Sequence, residues 1–80
     1  MVLNLTELKS GQTGTVIDMQ GGAGFIRRLE SMGIRPGKKI TKISAQFFRG
    51  PQIVKVDNLQ IAIGFGMARR ILVLLEDESK

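Results

Sequence analysis

The sequence predicts an all-β fold, a small antiparallel barrel of about five strands with one short helix inserted after the first strand. Three observations carry that expectation. Short alternating apolar segments recur along the chain, separated by Gly, Pro, Asn and Asp. A clear helical stripe occurs where Phe25, Leu29 and Met32 follow each other at four- and three-residue steps. The connections are all short, so neighbouring strands pair antiparallel, and curling the sheet closed leaves few free edges.

Leu3, Leu5 and Leu8 anchor an opening segment, and "KSGQTG" after it reads as a turn in which Gly11 and Gly14 adopt positive φ. A strand follows at about residues 14–20, with Val16 and Asp18 on one face and Ile17 and Met19 on the other. Gly21, Gly22 and Gly24 loosen the next connection before the helix, whose outer side carries Arg27, Arg28 and Ser31. Gly33 suits the left-handed position after that helix, which sets Ile34 at the apolar position of a Schellman motif, packed back on Leu29. Arg35-Pro36-Gly37 then turns the chain. The next strand is expected to be irregular, because Ile40 and Ile43 are three apart, and a bulge or a face change near Thr41 to Ile43 reconciles them. "QFFRGP" makes a distorted corner. Ile53–Val56 and Leu59–Ile63 flank Asp57-Asn58, a two-residue hairpin turn, with Leu59, Ile61 and Ile63 toward the core. "GFGMARRI" supplies a helical turn before the last strand, Ile71–Leu75.

Eighty residues make one domain, residues 1–75, followed by an acidic tail at 76–80. Without Cys or His the chain has no disulfide, no thiolate or imidazole ligand and no histidine base. The first eight residues lack the basic start and long apolar core of a signal peptide, and the apolar run Ile71–Leu75 is far short of the roughly twenty residues that span a bilayer. A cytoplasmic protein with no membrane insertion is the expectation. The net charge is +5, and between Arg27 and Arg70 ten basic residues face two acidic ones, giving +8 in the body of the chain. Such a body attracts acidic proteins, phosphate backbones and anionic membranes without choosing among them.

Gly33, Gly37 and Lys38 invite comparison with a nucleotide-binding loop, but three residues rather than four separate the glycines, and Lys39 stands where the hydroxyl should be. No catalytic residues are expected. The carboxylates Asp18, Asp57, Glu76, Asp77 and Glu78 have no neighbouring softer donors that would favour ferrous iron, so neither a metal site nor a cofactor is expected.

The pattern Leu29-x-x-Met32-Gly33-Ile34-x-Pro36-Gly37, the corner Gly50-Pro51, "IVKVDNLQIAI" at Ile53–Ile63 and "MARRILV" at Met67–Val73 together resemble the FeoA-like family of small accessory proteins in bacterial ferrous iron uptake. The opening Leu3–Ile17 is similar too, so nearly the whole chain is covered. The resemblance implies an SH3-like barrel acting beside a ferrous iron permease, by binding its cytoplasmic region as an adaptor or regulatory component. A similar domain ends some metal-dependent repressors, but this chain carries no helix-turn-helix. It departs from the family pattern at Gly64-Phe65 and Met67-Ala68, where an acidic residue is missing, and at the corner Phe47-Phe48-Arg49.

Those departures supply the candidate partner-binding residues Phe47, Phe48 and Arg49 at the corner and Phe65 between two glycines, and Arg27 and Arg28 on the outer side of the helix join them as residues able to meet carboxylates. Phe25, Leu29, Met32, Gly33, Ile34, Pro36 and Gly37 are expected to be structural. Lys38, Lys39, Lys42 and Lys55 form a solvated face. A nucleic-acid-binding barrel is the rival reading, set against the lack of Tyr and Trp. Self-association, outside iron transport or within it, is the other.

Overall fold

The computed structural model describes residues 1–45 and 50–76. Strand β1 (Val2–Asn4) runs into a single 3-10 turn (Leu5–Glu7), begun by a reciprocal cap in which the Asn4 side chain accepts from the Thr6 amide and the Glu7 carboxylate accepts from the Asn4 amide at 2.9 Å. Strand β2 (Thr13–Met19) follows, then helix α1 (Ala23–Ser31), β3 (Lys39–Ala45), β4 (Gln52–Val56), β5 (Leu59–Ile63), the short α2 (Phe65–Ala68) and β6 (Ile71–Leu75). All pairings are antiparallel, in the order β1-β6-β2-β3-β4-β5.

The architecture is the all-β, SH3-like one, with two differences from the expectation. A sixth strand, β1, pairs Val2 with Leu74 and Asn4 with Leu72 in what read as a mere anchoring segment. The sheet does not close: β1 and β5 stand at its two ends, unpaired with each other.

The helix ends in a Schellman motif. Gly33 takes φ +87°, its amide donates to the Glu30 carbonyl at 3.0 Å, and the Ile34 amide donates to the Leu29 carbonyl at 3.0 Å. Leu29 and Ile34 are both fully buried, each side chain contributing roughly 1.5–3 kcal/mol. Pro36 and Gly37 (φ +96°) then occupy the central positions of a turn closed by the Lys38 amide on the Arg35 carbonyl at 3.1 Å, the type II pattern with Pro second and Gly third.

Two irregularities decide which side chains reach the core. In β2 the register against β6 shifts between Val16 and Asp18, so Val16 and Met19 are both buried while Ile17 is exposed. Met19 was expected opposite Val16, and the bulge at Ile17 puts it on the same side. In β3 the register against β4 shifts between Lys42 and Ser44, inside the stretch expected to bulge. Ile43 is nevertheless turned out, and Lys42 takes the inward place in step with Ile40. Gly14, read as a turn residue, is a buried strand residue paired with Ile40 and Leu75; a Cβ there would sit 3.1 Å from the Leu74 carbonyl oxygen. On β5 only Ile63 is buried and Ile61 half-buried, whereas Leu59, at the hairpin tip of an edge strand, is 64% exposed.

Candidate functional site

Helix α1 turns Phe25, Ile26 and Met32 toward the core and leaves Arg27 and Arg28 exposed, as its stripe demands. Phe25 is half-buried and lies against Gly21, where a Cβ would come within 2.6 Å of the ring. The Arg70 guanidinium covers that ring, 5.7 Å from its centroid, a cation–π contact. Arg70 is held there by its own backbone, since its carbonyl accepts from the Gln20 amide at 2.9 Å where β2 ends and β6 begins. Arg27 and Arg28 on α1 and Arg69 and Arg70 before β6 are all exposed, and the contact of Arg70 with Phe25 brings the second doublet to the N-terminal part of the helix. Among the described residues none of these four arginines is ion-paired. Arg69 and Arg70 were outside the candidate set; the doublet in "MARRI", next to a short helix, was the available signal.

Phe65 opens α2 and is half-buried, with its carbonyl accepting from the Arg69 amide at 3.0 Å. Phe47, Phe48 and Arg49 lie outside the described residues. The flanks of that corner are described: Ala45 pairs with Gln52, and Gln52 with Ile63, so the corner's two ends and the departure of Phe65 share one end of the sheet. Gln52 is buried there, its amide nitrogen donating to the Gly50 carbonyl at 3.3 Å.

The four lysines do not form one solvated face. Lys42 is 1% exposed, and its ammonium donates to the Leu8 carbonyl at 2.7 Å. Its backbone grips the same loop, donating to the Gln12 carbonyl at 2.9 Å and accepting from the Gly11 amide at 2.7 Å. Burial pushes its pKa below the ordinary lysine value of 10.5. Lys38 pairs with Asp57 at 2.9 Å, Lys39 pairs with Glu76 at 2.9 Å, and Lys55 is exposed. Among the described residues no three carboxylate, imidazole or thiolate side chains gather as a metal site, and no helix is long and apolar enough to cross a membrane.

The sequence model of the FeoA domain family matches residues 3–75. A Methanocaldococcus jannaschii protein, whose name assigns it to Fe(2+) transport as protein A, is 40% identical over 65 residues, covering 81% of this chain and 77% of its own length. Among solved structures, an iron uptake regulatory protein (FeoA) superposes with a TM-score of 0.89 at 36% identity, over 95% of this chain and all of its own. The Stenotrophomonas maltophilia FeoA complexed with zinc, described as an SH3 domain protein, superposes with a TM-score of 0.73 at 23% identity, over 89% of this chain and 88% of its own.

Proposed function

This chain belongs to the FeoA domain family, and from that premise we propose that it is a non-catalytic accessory component of ferrous iron transport, acting in the cytoplasm by binding the cytoplasmic region of a ferrous iron permease. The observation that carries the reading is the family match across residues 3–75, joined to 40% identity with a protein named for Fe(2+) transport. The S. maltophilia relative, described as a candidate ferrous iron transport activating factor, agrees with it. The arginine surface supports a protein partner in physical terms. Arg27, Arg28, Arg69 and Arg70 present guanidinium groups suited to bidentate carboxylate recognition, and Phe25 under Arg70 stiffens one of them. Phe65 and, outside the described residues, Phe47, Phe48 and Arg49 remain further candidate contacts for the partner.

Docking alone changes nothing in a permease unless affinity differs between its states, so the adaptor acts by binding one state more tightly. The test is a backbone NMR titration of the chain with the soluble cytoplasmic portion of the permease, at low and near-physiological salt. Saturable shifts confined to Arg27–Arg28, Arg69–Arg70 and Phe65, persisting at higher salt, support the reading. Shifts that vanish with salt and reappear with nucleic acid move the chain to the rival class. Arg28→Glu is expected to weaken the complex by about tenfold.

A further inference from the structure

The outer face of β2, β3 and β4 carries a shallow groove of about 450 Å³, open to solvent and separate from the arginine surface. Cross-strand register builds its floor. Thr13 pairs with Thr41 and Thr41 with Lys55, so two hydroxyls and an ammonium stand in one row across three strands. The hydroxyl oxygens are 2.8 Å apart, and either one donates to the other. A single hydrogen bond between two hydroxyls uses one of their two protons and leaves the second to point at a ligand. Lys38 and Lys39 complete the wall. Lys38 is held by Asp57, which also lines the groove, and Lys55 has no carboxylate partner among the described residues.

The chain itself displays the matching chemistry at the rim. The Glu76 carboxylate sits 2.9 Å from the Lys39 ammonium, and the Glu76 amide donates to the carbonyl of Thr13, a floor residue, at 3.1 Å. A carboxylate carried on extended backbone running beside β2 therefore fits. A continuous phosphate chain fits less well, because Asp57 and Glu76 would repel it and no aromatic among the described residues lines the groove to stack a base.

We propose that this groove is a binding site for an acidic peptide segment of a partner protein, which seats one carboxylate on Lys55 and the threonine hydroxyls, with Glu76 as its built-in competitor for Lys39. The proposal rests on the adaptor reading only in taking the ligand to be a protein segment.

The test uses a fluorescein-labelled short peptide of alternating Glu and Ser, titrated with the full chain by anisotropy and, unlabelled, by NMR. Inorganic phosphate and a thymidine oligonucleotide of matching length serve as the other probes. The expected result is peptide-induced shifts at Thr13, Thr41 and Lys55. Lys55→Glu, which breaks no contact seen among the described residues, should weaken binding by about tenfold, and Lys9→Glu, the same charge change on an exposed residue outside the groove, by less than about twofold. Glu76→Gln should tighten it by about two- to fivefold, the scale of an exposed ion pair. Equal weakening by Lys55→Glu and Lys9→Glu would reduce the site to general attraction and overturn the proposal. So would inorganic phosphate shifting the same amides with the peptide's affinity, or the oligonucleotide binding more tightly than the peptide. The permease titration is a separate readout: binding there at the arginine surface, with the peptide failing here, would sink the groove and leave the adaptor standing.

Discussion

Lys42 carries a polar cost into the core. A charged ammonium sits in the core with the Leu8 carbonyl as its hydrogen-bond acceptor and no carboxylate paired to it among the described residues. The folded state therefore holds the proton less tightly than the unfolded chain. Where the unfolded state binds more protons, stability rises with pH. The contribution of Lys42 is flat below its lowered folded pKa and climbs as pH rises from there toward 10.5. Urea denaturation from neutral to alkaline pH should show the native chain gaining stability relative to Lys42→Met across that interval; a pH-independent difference would contradict it. At neutral pH Lys42→Met should lie within about 1 kcal/mol of the native chain, since losing the buried charge offsets an unpaired carbonyl. Lys42→Ala, which also leaves a cavity, should cost about 2–4 kcal/mol. Sequence reading missed this residue for a specific reason. Strict alternation from Ile40 points Lys42 inward, but hydrophobicity favours Ile43 for the core, and only the loop carbonyl at Leu8, distant in sequence, makes the polar choice tolerable.

At the level of elements, the helix was the most legible part of the chain. Its stripe and the Gly33-Ile34 stop are local features with a short-range physical cause, and both stand in the structure within a residue or two of their expected places. Gly33→Ala should cost about 1–2 kcal/mol through backbone conformation alone, because the nearest atom to an added Cβ, Val56 Cγ1, is at an ordinary 3.8 Å. Gly14→Ala tests a different mechanism. Its backbone is ordinary strand, but the Cβ would press on Val73 and the Leu74 carbonyl at 3.1 Å, so overpacking of β2 against β6 should cost about 1–3 kcal/mol. Denaturation midpoints should fall for both with the m-value unchanged. The strands were less legible than the helix because a bulge moves every later residue to the other face. In β2 nothing local in "VIDM" marks the bulge that brings Met19 to the side of Val16, and in β3 the Ile40–Ile43 spacing marks an irregularity without showing that Ile43 is the residue turned outward.

For the molecule as a whole, an open sheet has a gradient of protection across it. The two-residue turn makes Val56 and Leu59 exchange both of their hydrogen bonds, so the Leu59, Ile61 and Ile63 amides face β4 and those of Gln60 and Ala62 face outward from the free edge. Hydrogen exchange should find Gln60 and Ala62 unprotected and Val16 and Val73, in the interior strands, opening only with global unfolding. Equal protection in β5 and β6 would mean that β5 is covered, and since β5 carries no charged residue to discourage strand addition, a second copy would be the first occupant to look for. The all-β class and strand count to within one were readable from alternation and turn residues. The open edge was not, because closure depends on how twist accumulates across the sheet, which is a property of all the strands together. Helical spacing placed Arg27 and Arg28 on the exposed side of the helix, whereas the contact of Arg70 with Phe25 joins residues far apart in the chain and leaves no local mark in the sequence.

That the last strand lies between the first two has a consequence for the timing of biosynthesis. β1 pairs only with β6, and β2 pairs with β6 and β3. During translation β1 is made well before β6 and waits, without this neighbour, until Leu74 has cleared the ribosomal exit tunnel. Contacts such as Val2 with Leu74 span almost the full described length, placing the chain toward the slow, high-contact-order end for domains of its size. The pairing of β1 is therefore completed only after the intervening strands have been made, and until then Val2 and Asn4 lack their partners Leu74 and Leu72.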